Sequence, residues 1–574
     1  MNAINDMSEK SASMAIRVRP VPLPIEASLR GAGIHPLLAR LYASRGVRMP
    51  ADVDYGFNTM LPPHLLKGIA QAAAILADGI QHEHRMLIVA DYDCDGATAC
   101  AVGLRALRAL GARVDYFVPN RQELGYGLTP ELVAVVAARR PDLLITVDNG
   151  IASIEGVAAA NARGIRTLIT DHHLPAATLP AASCIVNPNQ PGCQFPSKSI
   201  AGVGVMFYVM IALRSLLRDE GYFKTHAEPN LACLLDLVAA GTVADVVRLD
   251  HNNRVLVSQG LQRIRADAAC AGLRALFAVA GREPARASSF DLGFTIGPRI
   301  NAAGRLADMH LGIECLATDD MSRALTIAQD LDRLNRERRE IEASMQTEAG
   351  LALDRIQPSA QATLSLFDPS WHQGVVGILA GRIKDRFHRP TFVFAPGVGN
   401  QLRGSGRSIA GLHLRDCLDL MSKAHPRLLI RFGGHAAAAG VTIAASDFDQ
   451  FTVAFETIAR KLLDAHTLER VIETDGSLEP QWVSLEVARL IEGGIWGQGF
   501  PAPLFVDRFA IRSQRIVGGK HLRLQLERDG YAIDGIQFNR VDPLPASAQC
   551  VYRLTINEFN GLSAAQVTME HWSA

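Results

Sequence analysis

Asp91, Asp93 and Asp95 stand at every second position in Met86-Leu-Ile-Val-Ala-Asp-Tyr-Asp-Cys-Asp-Gly96, directly after a short apolar run. Period-two spacing in extended chain turns alternate side chains to one side, so Asp93 and Asp95 can point at a common spot. Gathered carboxylates repel one another, and a divalent cation bound through oxygen neutralises them. Read alone, the pattern also suits a polar loop whose aspartates cap a helix that Gly96 opens at Ala97. Farther along, Asp148-Asn-Gly150, Asp171-His-His173 and Asp245 add carboxylates and imidazoles. Bridging-capable carboxylates with one or two imidazoles and no cysteine ligand suit Mn²⁺ or Mg²⁺, the imidazole tilting the balance toward Mn²⁺. Two such ions about 3.5–4 Å apart can activate water against a phosphate ester and stabilise the leaving oxygen. Taken singly, His173 suits a packed or ligand-orienting role and Asp171 an orienting one. As a set, these residues read as a two-metal site.

The elements that must position them are legible as alternating strands and helices. Apolar runs at Leu87–Ala90, Val114–Val118, Leu143–Val147 and Thr167–Thr170 are separated by Ala-rich helical stretches. That pattern predicts an α/β parallel sheet, which places ligands at the carboxyl ends of its strands. Each run ends on polar residues: Asp91 to Asp95, then Asn120 and Arg121, then Asp148, then Asp171 to His173. The apolar segment Leu231–Val243 ends in Ala244-Asp245 and adds another carboxylate.

Asp320 to Ile356 reads as one long connecting helix with apolar residues at helical spacing and a solvated arginine-rich surface. A second α/β unit begins near Ala362. It holds three glycine-rich stretches, within Trp371–Arg382, Gly404–Ser408 and Gly433–Gly440. Read as turns, they expose backbone amides that, with an arginine and hydroxyls, form an anion pocket. Beyond about residue 465 the pattern becomes short alternating runs with glycine turns, the sign of a small β-barrel. The expected division is an N-terminal tail and cap (1–70), a parallel-sheet domain (71–318), the long helix (319–356), a second α/β domain (357–465) and an OB-fold-like barrel (466–574).

The 574 residues carry 58 basic and 58 acidic side chains, so net charge gives no global argument for a nucleic-acid partner. Nine scattered cysteines without a C-x-x-C pair fit reduced thiols in the cytoplasm. Cys94 is read as packing. Neither a signal peptide nor a membrane span is expected, and the tail to about residue 20 reads as loose.

Asp91-Tyr-Asp-Cys-Asp-Gly96, Asp148-Asn-Gly150 and Asp171-His-His173 resemble the signature motifs of the DHH phosphoesterase family. Pro119-Asn-Arg-Gln-Glu-Leu-Gly-Tyr-Gly127 and Gly297-Pro-Arg-Ile-Asn-Ala-Ala-Gly-Arg305 are similar to its single-strand-specific 5′→3′ DNA exonuclease branch. The resemblance runs from about residue 20 to the end. It implies Asp93, Asp95, Asp148, His172 and Asp245 as ligands of two Mn²⁺ or Mg²⁺ ions. His173 would sit beside the scissile phosphate, with Asp91 and His435 in the catalytic set. The second α/β unit would be a DHH-associated domain facing the metals across a cleft. Arg121, Ser405 and Arg407 would grip a terminal 5′ phosphate, with His372 and Gln373 either nearby or merely packed. Arg299, Asn301 and Arg305 would contact the DNA backbone or serve in ion pairs within the domain. Lys520, His521 and Arg523 are backbone-contact candidates on the barrel, where a polar hairpin is the alternative. The implied activity is metal-dependent hydrolysis of single-stranded DNA to 5′-mononucleotides, in DNA repair and recombination. Implied partners are single-stranded DNA, a single-strand-binding protein and a RecQ-type helicase, with the enzyme a cytoplasmic monomer. One departure stands out: Val89 occupies a position where some relatives carry histidine, which leaves a ligand position open to water.

Overall fold

The computed structural model describes residues 14–119, 127–353, 360–464, 466–559 and 561–573. The chain divides into two compact units. One comprises residues up to Val18 together with Arg336–Glu473, and the other Arg19–Asn335 together with Thr474–Ala574. The strands in chain order are β1 (Ala15–Val18), β2 (Met86–Ala90), β3 (Val114–Phe117), β4 (Leu143–Val147), β5 (Arg166–Thr170) and β6 (Cys184–Val186). Then come β7 (Leu364–Phe367), β8 (Thr391–Pro396), β9 (Gln401–Arg407), β10 (Arg431–Gly434), β11 (Ala438–Ala444) and β12 (Val471–Thr474). The last five are β13 (Phe505–Val517), β14 (His521–Arg528), β15 (Tyr531–Gln537), β16 (Ser547–Phe559) and β17 (Leu562–Ser573).

In the larger unit, β3-β2-β4-β5-β6 form one sheet, and every pairing in it is parallel. Every residue of β2 and β4 is buried, as expected for strands covered on both faces. The register decides where the chemistry falls. Ala90 pairs with Val147, Val147 with Thr170 and Thr170 with Val186. The residues that follow, Asp91, Asp148, Asp171 and Asn187, therefore leave adjacent strands at one level of one sheet edge.

The second half of this unit is a closed barrel ordered β13-β14-β15-β17-β16. It shares a core with the sheet half: Tyr42, Trp496 and Phe500 pack ring on ring at 5.5–5.9 Å. Arg45 places two nitrogens on the Asp475 carboxylate at 2.7 and 2.8 Å. That pair is almost fully buried, with side chains 1 % and 2 % exposed, so removing either partner would strand a charge in the interior.

In the smaller unit, β10-β11-β9-β8-β7 form a mixed sheet, parallel only between β7 and β8. Here the sequence reading needs correction. Gly404–Ser408 is not a turn: its first four residues end strand β9. The glycines serve packing, because a Cβ on Gly404 or Gly406 would collide with the rings of Phe394 and Phe392. Ala15–Val18 is likewise not part of a loose tail but pairs, as β1, with β12.

The long helix spans Met321–Leu353 and buries Ala324, Ile327, Leu331, Leu334 and Met345, as its spacing predicts. Part of its charged surface is paired, with Glu342 accepting from Arg338 at 3.1 Å and from Arg382 at 2.9 Å. Among the described residues no helix is long and apolar enough to cross a membrane.

Candidate metal centre

The loop after β2 is more structured than an extended D-x-D-x-D. The helix begins at Cys94, not Ala97, and Asp93 is its N-cap, its Oδ1 accepting the Gly96 N–H at 3.0 Å. Asp95 therefore lies in the first helical turn. Both of its oxygens are claimed by the start of the helix Gly202–Asp219: Gly202 N–H donates at 2.6 Å and Val203 N–H at 2.8 Å. A carboxylate on exposed helix-end amides is favoured by charge and by hydrogen bonding together. Gly96 is required for approach, since a Cβ there would lie 2.6 Å from the Asp91 carbonyl oxygen. Cys94 is buried, as the packing assignment expected.

Asp148 follows β4 with φ of +62°, a left-handed conformation that costs a non-glycine residue energy. Its N–H is held by the Thr170 carbonyl at 3.0 Å, and its neighbour Asn149 donates to the Val147 and Val89 carbonyls. Gly202 closes over it, with no room for a Cβ against the Asp148 carboxylate. Asp171, after β5, organises its own loop. Its Oδ1 accepts His172 N–H at 2.7 Å, His173 N–H at 3.1 Å and His173 Nδ1–H at 2.8 Å, while Oδ2 accepts Ile151 N–H at 2.9 Å. Asn187 and Asn189 donate to the carbonyls of His173 and His172 at 3.0 and 2.6 Å.

These supports bring the predicted ligands together. His172 Nε2 lies 3.1 Å from Asp148 Oδ1, 3.5 Å from Asp245 Oδ2 and 3.9 Å from Asp95 Oδ2. Three groups of potential ligand atoms fall within 4.8 Å of one another: Asp91–Asp93–Asp148, Asp148–His172–His173 and Asp95–His172–Asp245. Asp148 and His172 each belong to two of them. Val89, buried within β2, contributes no ligand atom.

The electrostatics are those of a site built around positive charge. Burial, reinforced by Asp95, Asp93, Asp245 and Asp91, pushes the Asp148 carboxyl well above its usual range. Burial and the same carboxylates do so for Asp245, and burial with Asp93 raises Asp95 to about 7. Burial alone would raise Asp171 too, but the His173 hydrogen bond and the charge of both imidazoles hold it below the usual range. Burial would lower His173; its bond to Asp171, with Asp91 and Asp93 nearby, raises it instead to about 9. Oδ1 of Asp148 is buried and makes no hydrogen bond among the described residues. A buried carboxylate oxygen among like charges is costly unless a cation meets it. The oxygen-rich donor set with imidazole fits Mn²⁺ or Mg²⁺.

The other predicted residues divide. Asn301 Oδ1 accepts the Cys94 N–H at 2.8 Å and so secures the aspartate loop. Arg299 binds Asp332 at 2.9–3.0 Å and the Thr295 carbonyl at 2.6 Å, the ion-pairing alternative. Arg305 lies in the last turn of the helix Gly297–Leu306. Arg121 lies outside the described residues. In the smaller unit, Ser405 and Arg407 do meet: Arg407 Nη1 donates to Ser405 Oγ at 3.2 Å. The helix Val376–Phe387 begins beside them, and a Cβ on Gly377 would lie 2.9 Å from Ser405 Oγ and 3.0 Å from Arg407 Nη2. An arginine, a hydroxyl and a helix N-terminus thus converge in an anion-compatible corner. His435 is exposed between β10 and β11 of the same unit. His372 Nδ1 accepts Gly374 N–H at 3.1 Å, and Gln373 bonds the Pro396 carbonyl and Arg403, so both are engaged in packing the loop. On the barrel, Lys520 is exposed, His521 Nδ1 accepts Asn539 N–H at 2.9 Å, and Arg523 lies 3.9 Å from Asp534.

Sequence reasoning missed the supports: Gly202 and Val203 beneath Asp95, and Asn187 and Asn189 beneath the histidines; Asn301, expected at the DNA backbone, also supports Cys94. The polar run Asn187-Pro-Asn-Gln190 after an apolar strand was a usable signal for one of these. The others join segments far apart in sequence.

Residues 85–242 match the model of the DHH family, N-terminal domain. Residues 359–461 match the DHHA1 domain and 474–571 the RecJ OB domain. The chain is 50 % identical over 550 residues to the single-stranded-DNA-specific exonuclease RecJ of Dickeya dadantii, covering 93 % of this chain and 95 % of that protein. It superposes on the crystal structure of Thermus thermophilus RecJ in complex with Mn²⁺ with a TM-score of 0.82 at 30 % identity, covering 98 % of this chain and 79 % of that one. For the Mg²⁺ complex of the same protein the TM-score is 0.76 at 30 % identity, covering 98 % and 78 %.

Proposed function

The chain belongs to the RecJ family of single-stranded-DNA-specific exonucleases, with DHH, DHHA1 and OB domains in that order, and from that premise we propose how its residues divide the work. The enzyme hydrolyses the phosphodiester bonds of single-stranded DNA from the 5′ end, releasing 5′-mononucleotides. Mn²⁺ or Mg²⁺, when bound, supplies the Lewis acidity that activates water and neutralises the phosphate. Asp91, Asp93 and Asp148 would form one holding group, and His172, Asp245 and Asp95 another, with Asp148 3.1 Å from His172. Both oxygens of Asp95 also accept the Gly202 and Val203 amides, which fixes its carboxylate at the start of that helix.

His173 is oriented by Asp171 at Nδ1, which places its ring to meet the charge that builds on the phosphate. In the smaller unit, Ser405, Arg407 and the amides opening the helix at Val376 hold a terminal 5′ phosphate. Polarity follows from that grip.

The observation that carries this reading is the sharing of Asp148 between two potential metal-binding groups at one sheet edge. Its test is digestion of single strands labelled at either end, with and without Mn²⁺. Prompt Mn²⁺-dependent release of the 5′ label as mononucleotide, with the 3′ label retained in shortening strands, is expected. Prompt release of the 3′ label, or release indifferent to Mn²⁺, contradicts it.

A further inference from the structure

Asp245 reaches the metal centre from the end of the helix Leu235–Ala244, whose C-terminal cap it forms. The next residue, Val246, has φ of +62° at the position after a helix cap where glycine is customary. A β-branched side chain is disfavoured in that conformation, so the corner at Asp245 is held by its surroundings against its own preference.

A continuous helical run packs on this corner. Ser289–Asp291 is α-helical, Leu292–Ile296 is π-helical, and Gly297–Leu306 is α-helical again. A π-helical turn is uncommon and is found mostly at functional sites. A Cβ on Gly293 would lie 3.2 Å from Val243 Cγ1, and one on Gly297 would lie 2.9 Å from the Ala244 Cβ. Farther along the run, Asn301 Oδ1 accepts the Cys94 N–H at 2.8 Å, and a Cβ on Gly304 would lie 2.1 Å from the Tyr92 carbonyl oxygen. Residues 297, 301 and 304 recur at helical spacing and so share one stripe. That stripe touches both segments that deliver carboxylates to the site, Val243–Ala244 before Asp245 and Tyr92–Cys94 between Asp91 and Asp95. The run is anchored at its start, where Ser288 and Asp291 form a capping box and Ser289 Oγ donates to the Trp496 carbonyl at 2.8 Å.

We propose that this run is a strut that sets the distance between Asp245 and the loop Asp91–Asp95, with Gly297 the positioning residue for Asp245. The proposal rests on the metal-centre reading and adds what holds carboxylates from two distant segments at their spacing. Two ions act on one phosphate only when about 3.5–4 Å apart, so a small displacement of Asp245 is felt at the site. Gly297 and Gly304 meet a Cβ and a backbone oxygen, with no flexible side-chain end to absorb an added methyl group. Gly293 meets only the end of the Val243 side chain, which can turn away.

The test is Mn²⁺ binding to the full-length protein without DNA, counted from the EPR signal of the free ion. Wild type should take up two ions. Gly297→Ala should leave one at wild-type affinity and weaken the other about tenfold or more, the scale set by groups that orient metal ligands. Gly293→Ala should weaken it less. Ala244→Gly added to Gly297→Ala removes the obstructing Cβ and should restore the second ion, a recovery that general damage to the fold would not show. If Gly297→Ala alone does not fold, the double variant decides, by recovering both ions or failing to. Equal binding by wild type and Gly297→Ala overturns the proposal, as does equal weakening of both ions or no recovery in the double variant. A wild type that takes up no Mn²⁺ would strike the metal-centre reading itself, and the strut with it.

Discussion

Nε2 of His172 stands 3.1 Å from Oδ1 of Asp148, and the Asp148 backbone is held in a left-handed conformation at φ +62° to bring it there. Backbone strain and like-charge crowding are both concentrated at this one residue. A bound cation would relieve the like-charge crowding.

Asp148→Asn should therefore abolish hydrolysis, with a fall of at least about 10³-fold in kcat. Metal-free, the variant should be at least as stable as the wild type, because a buried carboxylate among others has been neutralised. Thermal melts with and without millimolar Mn²⁺ check this. The wild type gains in Tm on adding metal, as binding to the folded state requires. The variant gains little.

Asn301→Ala removes the acceptor of the Cys94 N–H and loosens the helix start that carries Asp93. A loss of about 1–2 kcal/mol in stability is expected. Steady-state kinetics should show kcat falling more than KM rises, because the loop's aspartates and not the strand's grip are disturbed. A change confined to KM would instead support direct contact between Asn301 and DNA.

Arg407→Gln should chiefly remove discrimination between strand ends. The ratio of cleavage rates for 5′-phosphorylated and 5′-hydroxyl strands should fall about tenfold or more, the scale of one charge-assisted contact. An unchanged ratio contradicts a phosphate grip by Arg407 and Ser405.

Glu456 ties the start of β7 to its own helix in the smaller unit, accepting from Ala362 N–H at 2.9 Å and from the Thr363 N–H and hydroxyl at 2.7 Å. Burial alone would raise its carboxyl; these donors and Arg460 hold it below its ordinary 4.5. A depressed folded-state value contributes stability that is complete above the ordinary value and lost as pH falls through the folded one. Glu456→Gln should thus lower Tm at pH 7, with the gap to wild type narrowing as pH drops below 4.5. A gap independent of pH would show that the carboxylate's charge is immaterial.

Much of this was legible in the sequence, for identifiable reasons. Parallel strands buried on both faces read as apolar runs, and the polar residues closing them mark one sheet edge, so Asp91, Asp148 and Asp171 could be aligned before any coordinates. The arginine–hydroxyl corner at Ser405 and Arg407 was reached by the wrong local route. Gly404 and Gly406 looked like turn residues, yet they are strand residues kept small by Phe394 and Phe392. Asp95 was placed by a period-two alternation that in fact ends at the helix start at Cys94, though it does reach the site. Its partners, Gly202 and Val203, lie more than a hundred residues away, a pairing that no local spacing encodes.

The account stands or falls on where metal binds. Anomalous diffraction from crystals soaked in Mn²⁺ should reveal two peaks, both contacting Asp148, one also against Asp91 and Asp93 and the other against His172 and Asp245. A single peak remote from Asp148, or no ordered Mn²⁺ at this sheet edge, would contradict it.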